Sequence, residues 1–183
     1  MRVITGEAKG RRLKTLNGDD VRPTAERVKE ALFSIIQFDI EGRNVLDLFA
    51  GSGQLGIEAI SRGARRCVFV DSSRQSVNIV RENLEHCRLS DRARVLQSDA
   101  LAYLAGCGEK FDIALLDPPY YAGLLEKILP ALSGKMNVGG VIICETASDI
   151  FLPEEAGDFT KRREYRYGRV VLTLYRHRSI ESD

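Results

Sequence analysis

Short β-rich runs alternate with amphipathic stretches through the middle of the chain. VLDLFA (45–50), CVFVD (67–71), ARVLQSD (93–99), FDIALLD (111–117) and GVIICET (140–146) predict strands, and several are continuously apolar, as strands covered on both faces are. Residues 55–62, 74–87, 100–105 and 122–133 predict helices between them, with glycines marking the boundaries. Strand and helix in alternation imply a parallel sheet dressed with helices. The tail breaks the pattern. KRREYRYG (161–168) and RVVLTLYR (169–176) predict two strands meeting at a tight turn around Tyr167 and Gly168, so the sheet should end in an antiparallel hairpin. At the front, RVITGEAKGRRLKTL predicts a small β-hairpin turning near Glu7 to Lys9. Residues 24–38 then predict an amphipathic helix, capped by Thr24, with Val28, Ala31, Leu32, Ile35 and Ile36 on one side.

Composition narrows the chemistry. The chain has 183 residues, about one domain, and no apolar run approaches the length of a membrane span. Its first residues lack the apolar centre of a signal peptide, so a cytoplasmic protein is expected. Four cysteines (Cys67, Cys87, Cys107, Cys144) form no Cys-x-x-Cys pair, and only two histidines exist, which leaves little material for a metal site or a histidine base. Buried free thiols and metal-free chemistry are expected. The net charge of +1 conceals an asymmetry: residues 1–16 hold five Lys/Arg against one acid, and residues 160–178 hold seven against one. Two basic blocks that converge on one face would suit a phosphate backbone.

DLFAGSGQLG (47–56) sets an acid and three glycines where the first strand gives way to a helix, and Asp71 ends the second strand 20 residues after Gly51. Glycine lets the backbone turn and a ligand approach, and a carboxylate at that offset can accept both ribose hydroxyls. This element alone fits a nicotinamide dinucleotide or S-adenosylmethionine. Asp47 beneath the loop favours the ammonium of a methionine moiety over a pyrophosphate. Ser98 and Asp99 after the third strand would lie near an adenine, with helix capping the plain alternative for Asp99.

Asp117-Pro118-Pro119-Tyr120 follows the fourth strand and is the most specific signal in the chain. Two prolines fix the backbone so that the Asp117 carboxylate and the Pro118 carbonyl can each accept one N–H of a single amine. The nitrogen lone pair is then free for an activated methyl, and Tyr120 offers a face on which a planar ring can stack. A base inside a duplex cannot reach such a pocket, so the substrate would be flipped or single-stranded.

DLFAGSG with a downstream DPPY resembles the class I amino-methyltransferases. GEAKGRRL (6–13), RPTAERVKEALF (22–33), DLFAGSGQLGIEAISRGA (47–64), DPPY (117–120) and the late YG (167–168) together resemble the RsmD family of bacterial 16S ribosomal RNA guanine-N2 methyltransferases. The resemblance implies a Rossmann-like α/β fold: a seven-stranded, mostly parallel sheet with helices on both faces, a C-terminal hairpin and a small N-terminal hairpin. It divides the chain into an RNA-contacting extension (1–21) and a methyltransferase domain (22–183). It implies S-adenosylmethionine as cofactor, held by Asp47, Phe49, Gly51 and Gly53 along the methionine, by Asp71 and Ser72 at the ribose, and by Asp99 and Ala100 beyond it. Arg22, Pro23 and Thr24 would help close the site. Asp117, Pro118 and Tyr120 would bind the guanine, with Asp117 also bordering the cofactor. The RNA is expected on Lys9, Arg11, Arg12, Lys14, Arg22, Lys161, Arg162, Arg163 and Arg166, with 16S ribosomal RNA or the small subunit as partner and a monomer as the active form. Two positions depart from the family: Gln54 stands where alanine is frequent, and Asp71 where glutamate is. The alternatives are a DNA adenine or protein glutamine enzyme on the same motif, a nicotinamide-dependent oxidoreductase, and a non-catalytic RNA-binding module.

Overall fold

The computed structural model describes residues 1–16, 23–119 and 123–180, leaving aside the side chains of residues 23 and 24. One sheet organises them, in the order β3-β2-β1-β4-β5-β8-β7-β6. The strands are β1 (Asn44–Asp47), β2 (Arg66–Asp71), β3 (Ala93–Gln97), β4 (Phe111–Leu116), β5 (Met136–Ala147), β6 (Glu155–Ala156), β7 (Phe159–Tyr167) and β8 (Val170–His177). Strands β3, β2, β1, β4 and β5 are parallel to one another, and β5, β8, β7 and β6 pair antiparallel. The sheet therefore has eight strands where the sequence suggested seven. The extra one, β6, is two residues long and pairs with the start of β7, too short to leave a pattern.

Alternation along each strand divides the core in two. Val45, Cys67, Phe69, Ile113 and Leu115 pack on one face with Val28, Leu32, Ile57, Ile60, Val80 and Leu84, which come from α1 (Pro23–Ile35), α2 (Gln54–Ser61) and α3 (Arg74–Cys87). Leu46, Val68, Val70, Ala114 and Leu116 pack on the other with Leu104 of α4 (Ala100–Gly106) and Ile128, Leu129 and Leu132 of α5 (Leu124–Ser133). Burial on both sides is why these strands read as unbroken apolar runs. All four cysteines are buried free thiols. Among the described residues no helix is long and apolar enough to cross a membrane.

Helix α1 begins at Pro23, so Thr24 lies inside its first turn and is not the residue preceding it; proline is favoured at that first position because its missing N–H would have no partner there. Among the described residues the N-terminal segment forms no pair of strands but one antiparallel bridge between Arg2 and Arg12, flanked by Val3 N–H to Arg11 O (2.9 Å) and Leu13 N–H to Met1 O (2.9 Å). Residues 4–8 turn toward α2 instead. Glu58 accepts the N–H groups of Ile4 (2.8 Å) and Thr5 (3.0 Å), and Ser61 Oγ accepts that of Ala8 (3.0 Å). Val3, Ala8 and Leu13 are buried in the same cluster as α1 and α2.

Candidate functional site

Strand order reverses between β1 and β4: the chain runs outward through β2 and β3, then returns to the other side of β1. Open parallel sheets bind ligands at the carboxyl ends of the strands at such a point. A cavity of about 420 Å³ lies there, lined by Leu16, Phe49, Gly51, Asp71, Ser72, Ser98, Asp99, Ala100, Asp117 and Pro119 among others.

The loop after β1 owes its shape to its acids and glycines. Gly51 takes φ +55°, a conformation side chains rarely adopt, and its N–H donates to Asp71 Oδ2 (2.8 Å). Asp71 Oδ1 accepts the Ser73 N–H (2.9 Å), so each oxygen holds one backbone donor and keeps capacity for a ligand hydroxyl. Gly56 lies where α2 crosses β2 at close range: a Cβ there would stand 2.3 Å from the Phe69 ring and 2.7 Å from Cys67 Sγ. Gly53, at φ +78°, precedes α2 and stands behind the loop, outside the cavity wall. Asp99 caps α4 through Oδ1 and the Ala102 N–H (3.0 Å) while also lining the cavity.

Asp47 also sits behind the loop and is not part of the cavity wall. It is 1% exposed, and Oδ2 accepts the Gly56 N–H (2.9 Å). Among the described residues Oδ1 is buried without a hydrogen-bond partner, as is Oε1 of Gln54 on the same loop. Burial pushes the Asp47 carboxyl up to about 7; the Gly56 donor opposes this, and the charges of Asp117 and Asp71 add to it. A cationic group at the loop would reverse the balance.

Asp117 follows β4, with Pro118 buried and Pro119 exposed beside it. Burial raises the Asp117 carboxyl to about 6, and among the described residues it has no hydrogen-bond donor or cation. Arg22 and Tyr120 lie outside the described residues.

The two basic blocks divide. The N-terminal one runs along α3, with Arg11 Nη1 donating to His86 O (2.5 Å) and Lys14 paired with Glu82 (2.6 Å). Asn83, which the sequence did not single out, joins this segment to the glycine loop: it accepts the Lys14 N–H (2.8 Å) and donates to Lys14 O (3.0 Å) and Ser52 O (2.8 Å). In the C-terminal block, Lys161 turns inward to Glu154 (2.7 Å), Glu164 (3.3 Å) and Leu152 O (3.1 Å). Arg162 bonds the carbonyls of His177, Arg178 and Ile180, Arg163 lies over the Tyr165 ring, and Arg166 pairs loosely with Glu164. Lys9, Arg12 and Arg163 make no salt bridge among the described residues, and neither does Arg169, another residue the sequence reading passed over. Because Ala147 pairs with Val170, the turn at Gly168 and Arg169 stands at the carboxyl end of β5, the same end of the sheet as Asp117.

The family model described as Conserved hypothetical protein 95 matches residues 1–176. Ribosomal RNA small subunit methyltransferase D of Escherichia coli (strain K12) is 34% identical over 186 residues, spanning 100% of this chain and 93% of that protein. Its Haemophilus influenzae namesake is 34% identical over 184 residues, spanning 97% and 94%. Among solved structures, the Escherichia coli protein yhhF superposes with a TM-score of 0.84 at 32% identity over 97% of each chain. The Thermus thermophilus 16S rRNA N2 G1207 methyltransferase in complex with AdoMet and guanosine shares the fold, with a TM-score of 0.72 at 23% identity over 89% of this chain and 45% of that one. The chain thus belongs to the family described as Conserved hypothetical protein 95, the RsmD family, and has the class I fold of the S-adenosylmethionine-dependent methyltransferases.

Proposed function

We propose that this protein transfers a methyl group from S-adenosylmethionine to the exocyclic N2 amine of a guanine in 16S ribosomal RNA, within the small subunit or an assembly intermediate. The observation that carries this reading is the position of Asp117, a carboxylate that among the described residues has no hydrogen-bond or ion-pair partner, on the wall of the cavity at the carboxyl end of the parallel strands. The relatives named Ribosomal RNA small subunit methyltransferase D, which align over nearly the whole chain, supply the class of RNA.

The residues present fit the cofactor. Asp71 accepts the ribose hydroxyls with the capacity its oxygens keep, and the free oxygen of Asp99 takes the adenine amino group. Phe49, Ser72 and Ala100 give the wall. Gly51 and Gly53 shape the loop for the methionine end, and the unpartnered Asp47 Oδ1 beneath it balances the ammonium. Arg22 and Thr24 are assigned, from the family resemblance, to helping close the site. The bound sulfonium supplies an activated methyl. The protein then has only to hold the amine, with Asp117 and the Pro118 carbonyl each accepting one N–H and Tyr120 stacking on the ring. Residues 1–21 act as an RNA-contacting extension of the domain formed by 22–183.

Small subunits from a strain lacking the gene, incubated with radiolabelled S-adenosylmethionine, are expected to yield N2-methylguanosine on nucleoside analysis. Label on adenine or on protein would overturn the reading. RNA contact by Lys9, Arg12, Arg163 and Arg169 predicts steep salt dependence. With about four phosphates neutralised, affinity should fall on the order of a hundredfold between about 50 and 200 mM salt. A flat response in a filter-binding titration would remove the basic ends from the RNA interface.

A further inference from the structure

The face of the sheet that carries Asp117 continues beyond it. Leu116 pairs with Cys144, which sets Glu145 beside Asp117; Glu145 pairs with Leu172, and Leu172 with Tyr165. One row of residues thus runs from the candidate site across β5 and β8 to β7. One step nearer the hairpin turn, Ala147, Val170 and Tyr167 form the next row. Side chains alternate along a strand, so Tyr165 and Tyr167 share a face, and Arg163, paired with Leu174, precedes them on it. Neighbouring strands lie about 4.8 Å apart, so three steps put Tyr165 roughly 14 Å from Asp117.

These two rings are placed differently from a structural tyrosine. Tyr175 is fully buried, and its hydroxyl donates to Pro153 O (2.7 Å). Tyr165 and Tyr167 are half-buried against the core cluster of α1 and α2, and their hydroxyls make no hydrogen bond among the described residues. Strand β6 pairs only with Phe159 and Thr160, so among the described residues β7 is an edge strand from Lys161 to Tyr167. The charge beside the rings is positive. The Arg163 guanidinium stands 5.9 Å from the Tyr165 ring centre, Arg169 is exposed at the turn, and neither makes a salt bridge among the described residues. Glu164, the acid between Arg163 and Tyr165, alternates to the opposite face, where it pairs with Lys161 and Arg166.

We infer that Tyr165 and Tyr167 form a stacking platform for unpaired RNA bases that flank the methylated one, with Arg163 and Arg169 holding the phosphates of that strand. This rests on the RNA reading above and deepens it. A base that enters the site leaves its own stack, and its neighbours lose a partner with it. Aromatic side chains on a sheet face take such bases, and cationic side chains beside them track the backbone. The separation from Asp117 assigns the platform to neighbours of the target, not to the reacting base. Every base has a ring face, so the platform supplies affinity and holds the strand open without choosing sequence.

The chain contains no tryptophan, so Tyr167→Trp puts a single fluorescent reporter on the platform. Its emission is expected to be quenched as small subunits from a strain lacking the gene are titrated in. Phe38→Trp, 93% exposed before β1 at the amino end of the strands, should keep its emission. Tyr165→Ala and Tyr167→Ala should each raise KM for the subunit roughly five- to a hundredfold, with kcat and the Kd for S-adenosylmethionine changed by less than about twofold. The phenylalanine variants keep the ring and should stay near wild type. Stacking carries no charge, so the alanine variants should keep the wild-type salt slope, whereas Arg169→Ala should lower it by about one unit. Equal emission changes at positions 167 and 38, or a wild-type KM in both tyrosine-to-alanine variants, would overturn the platform. If an alanine variant loses its calorimetric transition, the tryptophan pair decides alone. The wild-type product reports on the underlying reading separately: methyl on protein with none on RNA would defeat that reading whatever the variants do.

Discussion

Asp117→Ala is expected to lower methyl transfer by about a thousandfold while leaving S-adenosylmethionine affinity within severalfold of wild type. The size follows from what the carboxylate is asked to do. Removing one preorganised group that meets developing charge in a dry site costs about a hundred- to a thousandfold in rate, and here the same group also orients the nucleophile. Cofactor binding should persist because Asp71, Asp99 and the loop around Gly51 are untouched. Asp117→Asn keeps one acceptor oxygen but no charge, and should fall between wild type and alanine. The same argument gives a pH dependence. Burial raises Asp117 to about 6, and the reaction uses the ionised form as acceptor, so kcat/KM should be level above that value and fall as pH drops through it. Steady-state rates on small subunits from about pH 5 to 9 would show it. More than a tenth of wild-type activity in Asp117→Ala would take the amine away from this carboxylate.

How far the sequence discloses this site depends on how local each cause is. The five parallel strands and the helices between them follow from apolar runs that carry their own signature, whereas the order of the strands in the sheet does not. The glycine loop and DPPY were legible because both put unusual residues at the carboxyl end of a buried strand. Lys161 shows the opposite limit. A hairpin pattern cannot tell which basic side chains stay in solvent, and this one is claimed by Glu154 and Glu164. Asn83 was invisible for another reason: a polar residue inside a helix gives no hint that residues 69 and 31 positions away in the chain converge on it.

The N-terminal segment departs most from its expected form, and Glu58 is why. Glu58→Ala is expected to destabilise the protein by about 3 to 5 kcal/mol, the cost of breaking a buried ion pair from one side. Glu58 is 0% exposed and serves four donors: Ile4 N–H (2.8 Å), Thr5 N–H (3.0 Å), Arg62 Nε (2.8 Å) and the Lys29 ammonium (3.5 Å). Alanine would leave two backbone N–H groups without acceptors and Lys29, 2% exposed, with only the Arg2 carbonyl at 2.6 Å. Burial already lowers the Lys29 pKa, so its deprotonation would limit the loss and place it nearer the lower figure. For a chain of this size that is a fall in Tm of about 10 °C, readable by calorimetry or by the urea midpoint. A loss below about 1 kcal/mol would mean that the segment is held without Glu58, by the buried Val3, Ala8 and Leu13 and by the hydrogen bonds to Ser61. The consequence should extend beyond stability, because the segment that Glu58 fixes continues through Arg12 and Lys14 to Leu16 on the cavity wall. Loosening it should weaken RNA binding more than cofactor binding, since Asp71 and Asp99 stay on the sheet while the basic residues lose their anchor.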